Sequence, residues 1–600
     1  MSLDSARESA PSSMAGRMGL LVMASALTAG VGELALRFVA SRVLSDPVAI
    51  NPASVWLAPI SALAIFGPVT VLAWLLGRAK GRGAAWAAAV AAAAFLTTFD
   101  LLMLAPRLHA FALAVLSTGV ASQVTWGARR WPRLFARVLR VTVATLLAVS
   151  VGGAMVTARP TSALQLTADD TPADAPSVVL LVLDTVRALE LSAYGYDRST
   201  SPRLAALARE GVRFDRAVAT APWTLPSHAT LFTGRFQRDL SVGWSSPLDS
   251  AAPTLAEHFS ALGYATGGFV ANLHYCSREF GLARGFQTYR DYALVGTQVI
   301  GSTMLGRRAV AFYNSLFARY LLVGRKDARR VVNEFLDWQG KQGRRPYFAF
   351  LNFFDAHEPY APDAPYDLRF AATEPATRQL VLGRRHSAAE VQGLRDAYDG
   401  AIASLDAQLG RLFDELSRRD ALERTIIVVT ADHGEEFAEH GYMSHGNGLN
   451  FPALHVPLML RWPKGGVPAN FTVAAPVSLA DVAATIIDLT NSRAKSLLPG
   501  TSLAPLWRGE SLDQRSPILS ELYWVRNQPD WYPVSAGNMR SLVRGRYHYI
   551  AGPAKGEALY DIVGDPYEQH DLLGAAALRD TLAAMRRMMT AFPDQDRRGR

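Results

Sequence analysis

Five apolar runs crowd the first 160 residues, at roughly 18–40, 55–77, 84–104, 108–126 and 138–158. Each is close to or above the ~20 residues that a helix needs to cross a bilayer. A cleaved signal peptide would supply a single short run, so the pattern predicts a retained bundle of five transmembrane helices over residues 1–158. Charge follows the same division. Residues 1–160 hold 14 basic and 5 acidic side chains, whereas residues 161–600 hold 47 of each. The net charge of +9 therefore sits entirely in the apolar segment, which argues against a nucleic-acid partner and for a membrane. The turns alternate in basic content: Arg7 and Arg17, then Arg42, then Arg78, Lys80 and Arg82, then Arg107, then Arg129, Arg130, Arg133 and Arg137. Basic residues stay on the cytoplasmic side, so the N-terminus is expected inside. Five crossings then put everything after about residue 160 in the periplasm or outside the cell, anchored in a bacterial inner or cell membrane. Glu33 and Arg37 lie four apart on the first span and can pair, either as a polar contact to a headgroup or partner helix or as a neutralised pair near the interface.

Residues 159–176, rich in Pro, Ala, Thr and Asp, read as a linker. The run 177–183 (SVVLLVL) is continuously apolar and β-branched, as in a strand buried on both faces of a parallel sheet. Comparable runs recur at 266–271, 347–353, 425–430 and 456–460, separated by helical patterns at 202–210, 328–339 and 388–416. That alternation predicts an α/β domain over 177–514, a mainly parallel sheet flanked by helices. From 515 to 600, short runs with turns and a final helix near 575–592 predict a small antiparallel subdomain on the sheet edge. One cysteine, Cys276, excludes an intramolecular disulfide framework and any cysteine-rich metal site.

Polar clusters sit where the strands end, the rim at which α/β sheets bind ligands: Asp184, then Asn272, then Asp355 and His357, then Asp432 and His433. In 221–234 (APWTLPSHATLFTG) a Pro-containing loop turns helical near Pro226, setting Thr224 at a helix N-terminus. There the free N–H groups and the helix dipole favour an attacking oxyanion or a bound anion; a helix-capping role for Thr224 or Ser227 is the other reading. In 430–446 (TADHGEEFAEHGYMSHG) an adjacent Asp432 and His433 offer one hard oxygen and one imidazole, a pair that suits Zn or Mn better than Ca, with His440 and His445 following. The third element is DAHEPY at 355–360.

These segments resemble, in order, the landmarks of the sulfatase family in the alkaline phosphatase superfamily: VVLLVLDTVRA with SAYGYDRSTSPRLAALAREGVRFDRAVA, APWTLPSHATLFTGR, FDAHEPY, TADHGEEFAEHGYMSHG and LYDIVGDPYEQHDL. The resemblance covers about residues 176–575. It implies a divalent metal held by Asp184, Asp432, His433 and the nucleophile Thr224, with His357 and His445 as substrate contacts. Asn272 and His228 join the candidate substrate-binding set, and these two, like Arg187 and His440, could equally be structural.

The departures bear on the chemistry. The family pattern C/S-x-P-S-R supplies a Cys or Ser that becomes formylglycine, but here the position is Thr224 and the Arg is replaced by His228. Thr cannot become formylglycine, so no formylglycine is expected. A Thr alkoxide must instead form an ester that water or an alcohol cleaves, which fits phosphoryl transfer better than sulfate elimination. Asp184 is followed by Thr185 where many sulfatases have a second Asp, one hard ligand fewer. Thr nucleophiles and an N-terminal membrane bundle also resemble lipoteichoic acid synthases and lipid A phosphoethanolamine transferases. The expectation is a membrane-anchored hydrolase or transferase acting on a phosphate or phosphonate ester, with an envelope lipid or glycan as candidate partner. A sulfatase working without formylglycine and a non-catalytic envelope scaffold are the rivals.

Overall fold

The computed structural model describes residues 13–43, 53–105, 108–157, 175–244, 246–292, 296–317, 326–371, 384–492, 496–509, 517–525, 528–553 and 556–594. Residues 159–174 of the expected linker and the turn residues Arg7 and Arg107 lie outside them. The chain divides into two compact units, one of residues 1–162 and 293–323 and one of residues 163–292 and 324–600.

The first unit contains α1 (Met14–Val43), α2 (Ser54–Gly77), α3 (Arg82–Leu102), α4 (Ala110–Arg130) and α5 (Pro132–Thr157). All five are long and apolar enough to cross a membrane. Small residues let them approach closely: a Cβ on Gly30 would lie 2.3 Å from the Pro59 nitrogen, so α1 and α2 cross at a contact that only glycine admits. Ala26, Ala29, Ala62 and Phe66 form a buried cluster at this crossing. The unit is completed by α9 (Gly296–Ile300) and α10 (Met304–Phe317), which come from the middle of the predicted α/β segment. The expected Glu33–Arg37 ion pair forms.

The second unit is built on a sheet of β1 (Ser177–Leu183), β2 (Val212–Val218), β3 (Ala265–Val270), β4 (Thr288–Arg290), β5 (Tyr347–Phe353), β6 (Thr425–Thr430), β9 (His455–Val456), β10 (Leu458–Arg461) and β11 (Phe471–Ser478). The order is β11-β2-β10-β6-β1-β5-β3-β4, with β9 also paired to β2. The central block β6-β1-β5-β3-β4 is parallel, and β10 runs antiparallel to both β6 and β2. Every residue of β1, β3, β5 and β6 is buried, which is why these strands read as largely apolar runs. The helices α6 (Pro202–Arg209), α7 (Thr224–Thr233), α8 (Leu255–Ala261), α11 (Ala328–Gln339), α12 (Ala388–Arg418), α13 (Phe451–Leu454) and α14 (Val482–Leu489) surround the sheet. A two-stranded ribbon of β7 (Glu436–Phe437) and β8 (Met443–Ser444) follows β6.

The C-terminal element is an antiparallel sheet of β12 (Ile518–Leu522), β13 (Met539–Arg544), β14 (Tyr547–Gly552) and β15 (Gly556–Asp561), with α15 (Arg579–Met589). Leu519, Leu542, Tyr549 and Leu559 pack beneath Leu582, Met585 and Met589. The Glu521 N–H donates to Thr220 O at 2.9 Å and Ser520 Oγ donates to Ala219 O at 2.7 Å, tying β12 to the segment that leads into α7.

Candidate active site

The strands β6, β1, β5 and β3 are consecutive neighbours, so the residues just beyond their carboxyl ends fall side by side. Asp184 follows β1, Asp432 and His433 follow β6, Asn272 follows β3, and Asp355 and His357 follow β5. Asp184, Asp432 and His433 bring one oxygen or nitrogen each within 4.8 Å of the others and are completely buried. They are the group with metal-ligand spacing among the described residues.

Thr224 is the first residue of α7, after Trp223 in extended conformation. Its Oγ1 lies 3.4 Å from His433 Nε2. The helix start is fastened to the metal-type loop because Ser227 Oγ donates to Asp432 O at 2.5 Å. The placement leaves the nucleophile candidate at a helix N-terminus, where the dipole favours negative charge.

Tautomer and charge favour metal binding. The His433 Nδ1 hydrogen points at Gly434 O, 2.9 Å away, which leaves the Nε2 lone pair facing Asp432 Oδ2 at 3.3 Å and Asp184 Oδ1 at 3.9 Å. Burial pushes the His433 imidazole down to about 4, so it is neutral and able to ligate. Burial, together with the facing Asp432 carboxylate, pushes Asp184 up to about 8. Asp432 is also penalised by burial, but His433 and His228 outweigh that and hold it below its ordinary value. Asp184 Oδ1 and Asp432 Oδ2 are buried without a hydrogen-bond partner. Two orphaned carboxylate oxygens and an imidazole lone pair around one point are what a Zn- or Mn-type cation satisfies.

The surrounding shell orients these ligands. Asn272 Nδ2 donates to Asp184 Oδ2 at 2.8 Å, and Asn352 Nδ2 approaches the same oxygen at 3.4 Å. The Thr185 N–H points at Asp432 Oδ1 at 3.3 Å, while Thr185 Oγ1 donates to Asp184 O and Ala356 O. The residue at the position of the family's second Asp thus holds the loop together. His228 is fully buried; its Nδ1 lies 2.9 Å from Thr224 O and 3.4 Å from Asp432 Oδ2, with Asn352 against Nε2. Both Asn272 and His228 face the metal-type residues.

His357 and His445 come together above His433, with ring centroids 5.0 Å apart and His445 4.4 Å from His433. Both are partly exposed. His445 Nδ1 contacts Glu435 Oε1 at 3.0 Å, and Glu435 is held in turn by Tyr360 OH at 3.0 Å. Burial works against a charge on His445, but Glu435 outweighs it and raises the pKa. The sequence pattern offered Glu435 no distinction from its neighbour Glu436, and Asn352 was hidden inside an apolar strand.

The remaining candidates lie elsewhere. His440 pairs with Glu436 and reaches Glu568 O at 3.1 Å, bracing the loop against the C-terminal element. Arg187 is buried in ion pairs with Glu190 and Glu439 and donates to Glu435 O at 2.9 Å beneath the same loop. Asp355 Oδ1 accepts from Ala328 N–H at the start of α11.

The family model for Sulfatase matches residues 176–492. Among curated proteins, the chain is 22% identical over 456 residues to the uncharacterized sulfatase YidJ of Escherichia coli (strain K12), covering 70% of this chain and 88% of that protein. It is 23% identical over 468 residues to the choline-sulfatase of Rhizobium meliloti (strain 1021), covering 70% and 87%. Among solved structures, the phosphonate monoester hydrolase of Agrobacterium radiobacter superposes with a TM-score of 0.54 at 23% identity, over 69% of this chain and 95% of that one.

Proposed function

Because the chain belongs to the sulfatase family of the alkaline phosphatase superfamily, we propose that it is a membrane-anchored, metal-dependent hydrolase or transferase that cleaves phosphate or phosphonate esters through Thr224. The observation that carries this reading is the approach of Thr224 Oγ1, at a helix N-terminus, to a buried Asp184–Asp432–His433 donor set with orphaned oxygens. Asp184, Asp432 and His433, with Thr224, would hold the cation, which when bound supplies Lewis-acid polarisation and a lowered hydroxyl pKa.

The chain's own residues account for the remaining steps. Thr224 Oγ releases its proton to solvent and attacks phosphorus, the bond to the leaving oxygen breaks, and the group rests on Thr224 as an ester. The helix N-terminus lowers the cost of negative charge at that oxygen. His357, a partly exposed imidazole of the rim beside His445, is placed to contact the non-bridging oxygens. His445, held by Glu435, keeps its Nε2–H for the leaving oxygen, so the departing alcohol gains a proton. Asn272, Asn352 and His228 hold the carboxylates in place. Water or an alcohol then attacks the Thr224 ester and passes its proton to His445, the bond between phosphorus and Thr224 Oγ breaks, and Oγ regains a proton from solvent.

An N-terminus inside and the catalytic unit outside the cytoplasm agree with the basic turns. Further support comes from Glu33, Ser61 and Asp100, which touch residues 300–305: each lies toward the end of a helix that the charge pattern puts outside. A second reading, sulfate ester hydrolysis, is favoured by the sulfatase names of the curated relatives. Aryl phosphate, phosphonate and sulfate esters assayed on the purified chain with Zn or Mn, beside Thr224→Ala, separate the two. Phosphorus ester turnover that vanishes in the variant supports the proposal, and sulfate turnover alone replaces it with the second reading.

A further inference from the structure

We infer that α10, an arm inserted between two parts of the catalytic segment, lies in the outer headgroup region of the bilayer and contacts lipid with its Arg308–Phe312 face.

The way α10 is docked shows the medium it is built for. The first N–H groups of a helix have no partner within the helix. Here the Met304 N–H donates to Glu33 Oε2 at 3.0 Å on α1, and the Leu305 N–H donates to Asp100 Oδ1 at 2.7 Å on α3. Ser61 Oγ on α2 donates to Ile300 O at 2.6 Å and lies 3.1 Å from Thr303 Oγ1. Three membrane-type helices thus each supply a buried polar side chain to the arm's backbone. At an aqueous surface water can serve such groups, whereas within a bilayer only protein groups such as these can. A Cβ on Gly306 would fall 1.7 Å from Ile300 O and 3.0 Å from Ser61 Oγ, so the contact is as close as a helix permits.

Depth follows from helix rise. At 1.5 Å per residue, Asp100 is about 3 Å from the end of α3, Ser61 about 10 Å inside the start of α2 and Glu33 about 9 Å from Val39, where the apolar span of α1 ends. These ends share one side of the bundle, and a helix starting there sits at the ~5–10 Å depth typical of interfacial helices.

The uncovered face has matching chemistry. Gly306 and Val310 face the bundle, while Arg307, Arg308, Ala309, Ala311, Phe312 and Tyr313 are exposed, Phe312 by 65%. Arg308 and Phe312 are four apart and share a face, a cation beside an aromatic ring as suits headgroup phosphate above acyl chain. The apolar exterior of the bundle reaches the arm: Leu36, Phe38, Val39, Ile60 and Leu63 are exposed near the same helix ends, and so is Ile300, whose carbonyl accepts from Ser61 Oγ. The continuity identifies lipid as the occupant.

A nitroxide on Phe312→Cys, and separately on Arg308→Cys, in the full chain tests this in nanodiscs of phosphatidylethanolamine and phosphatidylglycerol. The native Cys276 is buried and does not compete for label. His570→Cys, whose side chain is 82% exposed, gives the aqueous reference. The label at 312 is expected to relax several-fold more with oxygen than with a water-soluble nickel chelate, with 308 intermediate and 570 reversed. Nickel accessibility at 312 and 308 equal to that at 570 would overturn the inference, and so would protection from both reagents, which would mark a protein partner.

Discussion

His228 stands where the family has an arginine, and its surroundings explain what an imidazole does there. Buried between Thr224 O, Asp432 Oδ2 and Asn352, it turns Nδ1 to both the nucleophile residue and the metal-type carboxylate and Nε2 to Asn352. Removing such an orienting partner weakens metal affinity by about 10–100-fold. His228→Gln is therefore expected to lower Zn or Mn affinity by that range, read by calorimetry, with the melting temperature of the metal-loaded chain little changed; unaltered affinity would reduce His228 to core packing. Glu439 governs acid stability at the same scale. Burial pushes its carboxyl up, but Arg187 and Arg395 outweigh that and hold it at about 2. A depressed carboxyl contributes stability that is complete above its unfolded value near 4.5 and is lost as pH falls through about 2. The melting-temperature gap between the native chain and Glu439→Gln should accordingly be full at pH 5 and close toward pH 2. A gap independent of pH would contradict this.

At the scale of elements, the loop after β6 is held by close backbone packing. A Cβ on Gly434 would lie 2.1 Å from Pro452 O and 3.0 Å from the Arg187 Cβ, so the residue after His433 has no room for a methyl group. Gly434→Ala should displace the loop at an overpacking cost of about 1–3 kcal/mol and lower metal affinity at least about tenfold. Circular dichroism and metal titration would show a retained fold with a weakened site, and unchanged affinity would refute the packing argument. The strands and their polar ends were legible in the sequence because β1, β3, β5 and β6 are buried on both faces, which forces largely apolar runs ending in polar residues. The adjacency of β6, β1, β5 and β3 was less accessible, since strand order depends on long-range pairing. Asn352, within β5, was invisible for a related reason: its polar contacts come from across the sheet. The arm α9–α10 was missed because its docking partners, Glu33, Ser61 and Asp100, lie hundreds of residues away, and their role as acceptors and donors for backbone groups leaves no periodic signature.

The whole molecule joins an apolar unit, five long helices with the α9–α10 arm, to a sulfatase-family α/β unit in one continuous chain. Burying Asp184 beside Asp432 is costly, since burial and the facing carboxylate raise it to about 8, and a bound cation would offset that cost. Saturating Zn or Mn should raise the melting temperature of the catalytic unit. A cation at a hundredfold its dissociation constant adds about 2.7 kcal/mol. Asp184→Asn should abolish the rise, and a metal-independent melting temperature would show that the donor set holds no ion. The central claim, that Thr224 carries the transferred group, is tested most directly by quenching the metal-loaded chain during turnover of an aryl phosphate or phosphonate and mapping the product by mass spectrometry. The account predicts one phosphoryl or phosphonyl group on the peptide containing Thr224 and none in Thr224→Ala, whose turnover falls by on the order of 10³-fold or more. Turnover that persists in Thr224→Ala, or a substrate-derived group on a different residue, would contradict it.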